Sequence, residues 1–138
     1  MRLHSKGQSG ASAVEFAIIL PILVLLLFGI IEIGFALYDK AMITNASREG
    51  ARAGIVFRVP PVTEEEIVNV VNTYLGNNLI SFGGPSVATV TVTRNGFNPG
   101  DELKISVSYT YTTFVLPRLI TNFGPAFNMV AETTMRLE

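Results

Sequence analysis

The chain has 138 residues, enough for one small domain, and 49% of them are hydrophobic, a high share for a freely soluble protein. A formal net charge of -1, without basic clusters among aromatic residues, excludes a general nucleic-acid-binding protein. The absence of cysteine excludes disulfides, zinc-thiolate sites and thiol nucleophiles. We therefore expect no cofactor, no metal ion and no nucleic-acid partner.

The N-terminus joins a short basic segment to a long apolar one. Residues 1–10 carry Arg2 and Lys6, whereas residues 16–37 contain a single charge, Glu32, over a length that lets a helix cross a bilayer. The positive-inside rule then places the N-terminus in the cytoplasm and most of the chain outside. The apolar run is longer than that of a secretory signal, and no small-residue cleavage site follows it.

A glycine and a carboxylate mark the junction of these two segments. Gly10 precedes Ala11, and Glu15 and Phe16 open the apolar run, where an ionised group is costly. Cleavage after Gly10 would create a positive amine on Ala11, one helical turn from Glu15. That amine, or the amine of a neighbouring chain, would offset the burial of Glu15. A plain uncleaved anchor with a polar tail is the alternative.

The helix is expected to continue beyond the membrane, because residues 38–57 contain no proline and are rich in helix-forming residues. The predicted helix from Ala11 to Phe57 would be about 70 Å long. Within the span, Pro21 removes one backbone hydrogen bond and is expected to kink or loosen the helix. Glu32 is expected either to reach water at the outer interface or to contact another subunit.

One side of the projecting half of this helix carries small and apolar residues. Such residues permit close backbone approach, so this side is predicted to meet the folded domain or a neighbouring helix. They are Ile43, Ala46, Gly50, Ala53, Gly54 and Phe57. Arg48 and Arg52 share another side, and Glu49 can reach Arg52 at i, i+3. That side is either a solvated face or the place of a structural ion pair.

Residues 60–138 are predicted to form an extracytoplasmic domain. Pro60 and Pro61 end the long helix, and Thr63 with Glu66 forms a capping box for a second helix, Glu64–Leu75. Gly76 supplies the C-terminal stop of this helix. The three consecutive glutamates at its start are explained by the helix dipole rather than by a metal site.

Alternation of apolar and polar residues predicts three strands after the second helix. They are Val87–Arg94, Glu102–Phe114 and Phe127–Leu137. The residues expected to point inward are Leu103, Ile105, Val107, Tyr109 and Tyr111, and on the last strand Met129, Ala131, Thr133 and Met135. The predicted class is α+β: a long transmembrane helix that continues into a small domain with one short helix and an antiparallel sheet of about three strands. The segment between Phe114 and Pro125 gives no clear pattern.

Catalysis is not expected. The single histidine, His4, lies inside the proposed leader, so a processed chain would have no histidine to act as a base or a ligand. Nucleophile elbows, phosphate-binding glycine loops and metal-ligand spacings do not occur in the sequence either.

Together, these motifs resemble the TadE-like minor pseudopilins of Tad (Flp) pilus systems, with a type IV prepilin-like cleavage site. The residues that carry the resemblance are Gly10, Val14-Glu15-Phe16-Ala17, Leu20-Pro21, residues 29–34 and residues 45–52. The major pilin of such systems resembles this leader, but it is typically much shorter and has tyrosine after the glutamate. Phe16 and the long C-terminal region therefore favour a minor subunit.

The resemblance implies a subunit of the bacterial inner membrane, cut by a membrane aspartyl prepilin peptidase and required for assembly of an adhesive pilus. It implies as partners the other Tad pseudopilins and assembly proteins, with helix-helix association between subunits. The alternative is an uncleaved single-span protein that tethers a periplasmic binding or sensing domain.

Overall fold

The computed structural model describes residues 8–84, 86–113 and 126–137. Its elements are α1 (Gln8–Gly54), α2 (Glu64–Leu75), β1 (Thr89–Arg94), β2 (Glu102–Thr112) and β3 (Ala126–Arg136). The predicted α+β class, with one long helix, one short helix and three antiparallel strands, is confirmed. Most of the proposed leader, including His4, and the segment 114–125 lie outside the described residues.

The helix α1 has 47 residues and runs without interruption past Pro21. It ends at Gly54, before the predicted end at Phe57, where β-branched residues and the approach to Pro60 disfavour further helix. The prediction that Phe57 belongs to the packing side was wrong, because the chain leaves helical geometry first and the Phe57 side chain is 73% exposed.

The helix α2 begins and ends where the sequence predicted. The amide of Glu66 donates to Oγ1 of Thr63 at 3.2 Å, and the amide of Thr63 donates to Oε2 of Glu66 at 2.9 Å. This reciprocal pair is the predicted capping box. At the other end Gly76 adopts a positive φ of 49°, which a residue without a Cβ tolerates best.

The three strands form one antiparallel sheet in the order β1-β2-β3. β1 begins at Thr89 rather than Val87, and β2 ends at Thr112. The five residues predicted to point inward from β2, Leu103 to Tyr111 in alternation, are all buried. On β3, Met129 and Ala131 are buried, while Thr133 and Met135 are half-buried. The opposite face carries ion pairs between strands, such as Lys104 with Glu132 at 2.9 Å.

The core lies between the inward face of the sheet and the two helices. A Cβ added to Gly50 would lie 2.5 Å from Cγ2 of Val71, and one added to Gly54 would lie 2.7 Å from Cδ1 of Ile67. Real Cβ atoms do not approach this closely. The glycines therefore let α1 and α2 pack backbone to side chain, as the small-residue side of α1 predicted.

Candidate functional site

Helix α1 divides into an exposed half, residues 10–31, and a packed half, residues 32–54. It is the one helix, within the part of the chain that the structure describes, long and apolar enough to cross a membrane, and only 11% of its most apolar stretch is buried. Residues 10–31 include no buried side chain, and Glu32 is the first buried residue of the helix. A core helix of a soluble protein would instead be covered along its apolar stretch.

The predicted processing residues lie in the first turns of the described helix. Gly10, Ala11, Glu15 and Phe16 are all exposed, and a Cβ added to Gly10 would have no heavy atom within 4 Å. Helical geometry places Ala11 and Glu15 on the same side, one turn apart. The structure thus brings the four residues together on an open surface. Pro21, the other candidate of this half, is also exposed.

Glu32 is buried by the chain's own domain, with 4% of its surface exposed. The hydroxyl of Tyr111 donates to the backbone carbonyl of Glu32 at 3.4 Å, a long and weak hydrogen bond. Burial raises the pKa of Tyr111 to about 12, and the nearby carboxylates of Glu32 and Asp39 add to that rise. The expectation that Glu32 reaches water was wrong, because the sheet covers α1 from this level upward.

Asp39 is fully buried two turns further along α1. Its Oδ1 accepts the amide hydrogen of Ile80 at 2.9 Å, and the carbonyl of Ile80 accepts from the hydroxyl of Tyr109 at 2.8 Å. Ile80 therefore links the helix to the central strand through both of its backbone groups. Oδ2 of Asp39 has no hydrogen-bond partner among the described residues. A buried carboxylate held by one such bond fixes the position of the helix at a cost in desolvation.

Ser47 provides a third polar contact on the same side of α1. Its hydroxyl donates to the carbonyl of Thr44 at 2.8 Å and lies 2.7 Å from Oγ1 of Thr133 on β3. The Ser47 side chain is fully buried. Since Glu32, Asp39 and Ser47 face the sheet together with Ile43, the packed half presents one mixed stripe of polar and apolar residues.

The charged residues predicted near Gly50 do not share its role. Gly50 is buried, whereas Arg48 and Arg52 are exposed and Glu49 is half-buried. Within the described ranges, Arg52 forms no ion pair. Among the described residues the exposed Arg48 and Arg52 therefore fit the interpretation as a solvated face.

A groove of about 450 Å³ opens between α1 and β3 where the packed half begins. Apolar side chains of Ile33 and Leu37 form one wall, and Phe127 and Val130 form the other. Nζ of Lys40 closes the upper end and donates to the carbonyl of Val130. The groove is thus a largely apolar surface with one cation at its far end.

Among residues 8–84, 86–113 and 126–137, no group of three histidine, cysteine or acidic side chains is placed to hold a metal ion. The contacts described above join a helix to a sheet and present no nucleophile beside a base. They can orient and hold, and the expectation that the chain is not an enzyme stays a prediction.

One continuous helix contains the packed half, the exposed half and the junction at Gly10. Residues 10–52 match the family model of TadE-like proteins. The resemblance to the TadE-like family is thereby confirmed over these residues, which make up less than half of the chain, while the cleavage site stays a prediction. The match relates α1 to a family of proteins associated with the Tad pilus.

The TadE-like segment contains both halves of α1. It begins at Gly10, includes Glu15, and extends through the buried Glu32, Asp39 and Ser47. The contacts made by these three residues reach a domain that lies beyond the matched segment. A search of curated proteins found no match to the chain, and a search of solved structures found none either.

Sequence reasoning missed Asp39 and Ser47 as parts of the helix-sheet contact. A signal was available, because Asp39 lies four residues before Ile43 and seven after Glu32, and Ser47 lies four after Ile43. Applying the i, i+4 spacing in both directions from Ile43 would have included both positions.

Proposed function

We propose that this chain is a TadE-like minor pseudopilin, held in the bacterial inner membrane by α1, processed after Gly10 and required for assembly of Tad pili. The observation that carries the proposal is one unbroken helix with an exposed apolar half and a domain-covered half, matched to the TadE-like family along most of its length. The domain would lie on the periplasmic side.

The exposed half supplies the anchor. Residues 11–31 form a helical segment about 30 Å long, the thickness of the hydrocarbon core of a bilayer. We place the outer boundary of the span near Glu32 rather than at Leu37, because domain packing begins at Glu32. In this position a buried Glu32 faces protein at the membrane surface instead of lipid.

The Gly10 junction supports processing by a prepilin peptidase. Gly10 has no neighbouring heavy atom that would obstruct a protease, and residues 11–16 stay exposed. Removal of the leader would leave a positive amine on Ala11 beside Glu15. Within an assembly, that amine could pair with Glu15 of its own or of an adjacent chain while neighbouring helices replace lipid around α1.

Cleavage is the direct test. The chain is expressed with and without a prepilin peptidase and compared by immunoblot, intact mass and N-terminal sequencing. We expect a peptidase-dependent product that begins at Ala11. Gly10→Leu should abolish this product, whereas Gly34→Leu, which also lies on α1 with open space around its Cβ, should leave it unchanged. An unchanged mass in the presence of active peptidase contradicts the proposal and favours an uncleaved tethered binding or sensing domain.

The role of Glu15 is tested separately by Glu15→Ala. The variant should still insert and be cleaved, since its span becomes more apolar, but it should fail to support pilus assembly. Pilus counts by electron microscopy beside the immunoblot distinguish this defect from the cleavage defect of Gly10→Leu. Normal piliation with Glu15→Ala would show that the amine pairing has no essential part.

A further inference from the structure

The groove beside Lys40 lies directly above the proposed span. Glu32 marks the first domain contact of α1, and the hydroxyl of Tyr111 reaches the carbonyl of Glu32. The ring of Phe127 lies 5.3 Å from the ring of Tyr111, measured between centroids. Phe127 is therefore held close to the level at which the helix leaves the hydrocarbon core.

The walls of the groove are exposed apolar residues at this same level. The exposed fractions are 53% for Ile33, 65% for Leu37, 46% for Phe127 and 43% for Val130. On α1 this surface continues downward into the exposed apolar half of the helix, and the buried Glu32 also lines the lower end of the groove. A soluble surface seldom keeps such residues together, and here they adjoin the proposed membrane interface.

The lower part of the groove lies within the interfacial layer. From Glu32 to Lys40 the helix rises about 12 Å, and the headgroup layer on each side of the core is about 5 to 8 Å thick. Tyr38 is 43% exposed in this interval, as expected of an aromatic side chain at a membrane-water interface. The backbone of Lys40 then lies a few ångströms beyond this layer, and its flexible four-carbon side chain brings the ammonium group within reach of the lipid phosphates.

We propose that this groove docks on the membrane surface and is occupied by interfacial phospholipid, with acyl carbons against Phe127 and Val130 and a phosphate beside Lys40. The groove runs from apolar walls to the cation of Lys40, and Glu32, which also lines it, has only 4% of its surface exposed. The ammonium group of Lys40 has three donors, so its hydrogen bond to Val130 leaves others for a phosphate oxygen. The inference rests on the proposed anchoring of α1, and it makes the domain a second membrane contact.

The chain contains no tryptophan, so single substitutions give background-free fluorescent probes. Leu23→Trp reports on the span and Phe127→Trp on the groove. Phe57→Trp reports on the exposed segment that follows α1, about 30 Å above Glu32. Each full-length variant is reconstituted into vesicles of phosphatidylcholine and phosphatidylglycerol that carry bromine near the headgroup or near the bilayer centre. Bromine quenches tryptophan only at close range.

We expect quenching of Phe127→Trp to approach that of Leu23→Trp and to be stronger with bromine near the headgroup, while Phe57→Trp stays unquenched. If Leu23→Trp is quenched but Phe127→Trp behaves like Phe57→Trp, the anchor stands and the docking proposal is overturned. Blue-shifted but unquenched emission from Phe127→Trp also overturns it, because protein would then fill the groove. An unquenched Leu23→Trp overturns the anchoring and the docking together.

The contact of Lys40 with phosphate is tested in the Phe127→Trp background. Lys40→Gln should reduce the quenched fraction, whereas Arg52→Gln, which removes an exposed cation from the far part of α1, should not. Equal quenching with and without Lys40→Gln would remove the phosphate contact from the proposal.

Discussion

The two halves of α1 are built from the same backbone geometry but are stabilised by different surroundings. From residue 10 to residue 31 no side chain is buried, and all residues except Ser12 and Glu15 are apolar. From Glu32 to Gly54 one side is buried, and this side contains two carboxylates, a hydroxyl and glycines as well as apolar residues. Continuous hydrophobicity is therefore typical of the exposed half, which is proposed to face lipid, whereas small and polar residues are typical of the half that faces protein.

The largest expected difference between the halves is the loss of stability when an isoleucine of each half is replaced by alanine. Ile43 is fully buried against the domain, and Ile30 is 60% exposed on the apolar half. Ile43→Ala should lower the free energy of unfolding of the domain by about 3 kcal/mol, because it removes buried methyl groups and leaves a cavity. Ile30→Ala should change it by less than about 0.5 kcal/mol. Denaturant titration in detergent, followed by the tyrosine signal in near-ultraviolet circular dichroism, measures both. Similar losses would mean that the halves are not energetically distinct.

The next largest difference in stability is expected between a packed and an exposed glycine of α1 when each is replaced by leucine. A side chain at Gly54 would collide with Ile67 and Leu103, whereas one at Gly34 would meet open space. Gly54→Leu should destabilise the domain by about 2 kcal/mol through overpacking. Gly34→Leu should be neutral or slightly stabilising, since leucine favours helix more than glycine does. The same titration distinguishes them, and a neutral Gly54→Leu would contradict the close packing of α1 on α2.

The hydroxyl contact between Ser47 and Thr133 should contribute less. Ser47→Ala is expected to cost about 1 kcal/mol, because it leaves the half-buried hydroxyl of Thr133 without this partner. Asn45→Ala, at an exposed position nearby, is the control. In a double-mutant cycle with Thr133→Val, the combined cost should be smaller than the sum of the single costs. Additive costs would show that the two hydroxyls do not stabilise each other.

The smallest effect on stability is expected from Glu66, which lies beyond the end of α1. The Arg58 guanidinium and the amide of Thr63 lower the pKa of Glu66 from 4.5 to about 2. Since folding lowers this pKa, the stabilisation is complete above pH 4.5 and is lost as the pH falls through about 2. The stability difference between the wild type and Glu66→Gln should therefore shrink over this window. Both side chains are exposed, so added salt should weaken the effect.

Glu65→Gln is the matched control for that titration. Glu65 lies in the same first turn of α2 and takes no part in the capping box or in the ion pair with Arg58. A difference of similar size and pH dependence for Glu65→Gln would assign the effect to the helix dipole rather than to Glu66.

Local chemistry made most of the elements predictable from the sequence. The capping box at Thr63 and the stop at Gly76 fixed both ends of α2, and strict alternation identified the buried side of β2. The small residues Gly50 and Gly54 likewise predicted which side of α1 packs closely against the domain. These features depend on residues a few positions apart, so a single sequence contains them in full.

The environments of Glu32, Asp39 and Ser47 were not predictable in the same way. Each contacts a residue 41 to 86 positions away, as in the bonds of Asp39 with Ile80 and of Ser47 with Thr133. Around Glu32 nearly every neighbour is apolar, so hydrophobic periodicity does not distinguish a face toward lipid from a face toward protein. The early end of α1 was missed because the residues from Ile55 to Arg58 have no strong stop signal of their own.

The contacts that hold α1 to the sheet are distributed along its length rather than gathered at one point. They begin at Glu32 and continue to Gly54, over about 33 Å of helix. A force that draws the membrane end along the helix axis therefore loads the contacts of Glu32, Asp39, Ser47 and the core in shear, all at the same time. Because no loop interrupts α1, such a force would reach the domain directly, and the helix would form a stiff connection between the proposed membrane anchor and the domain.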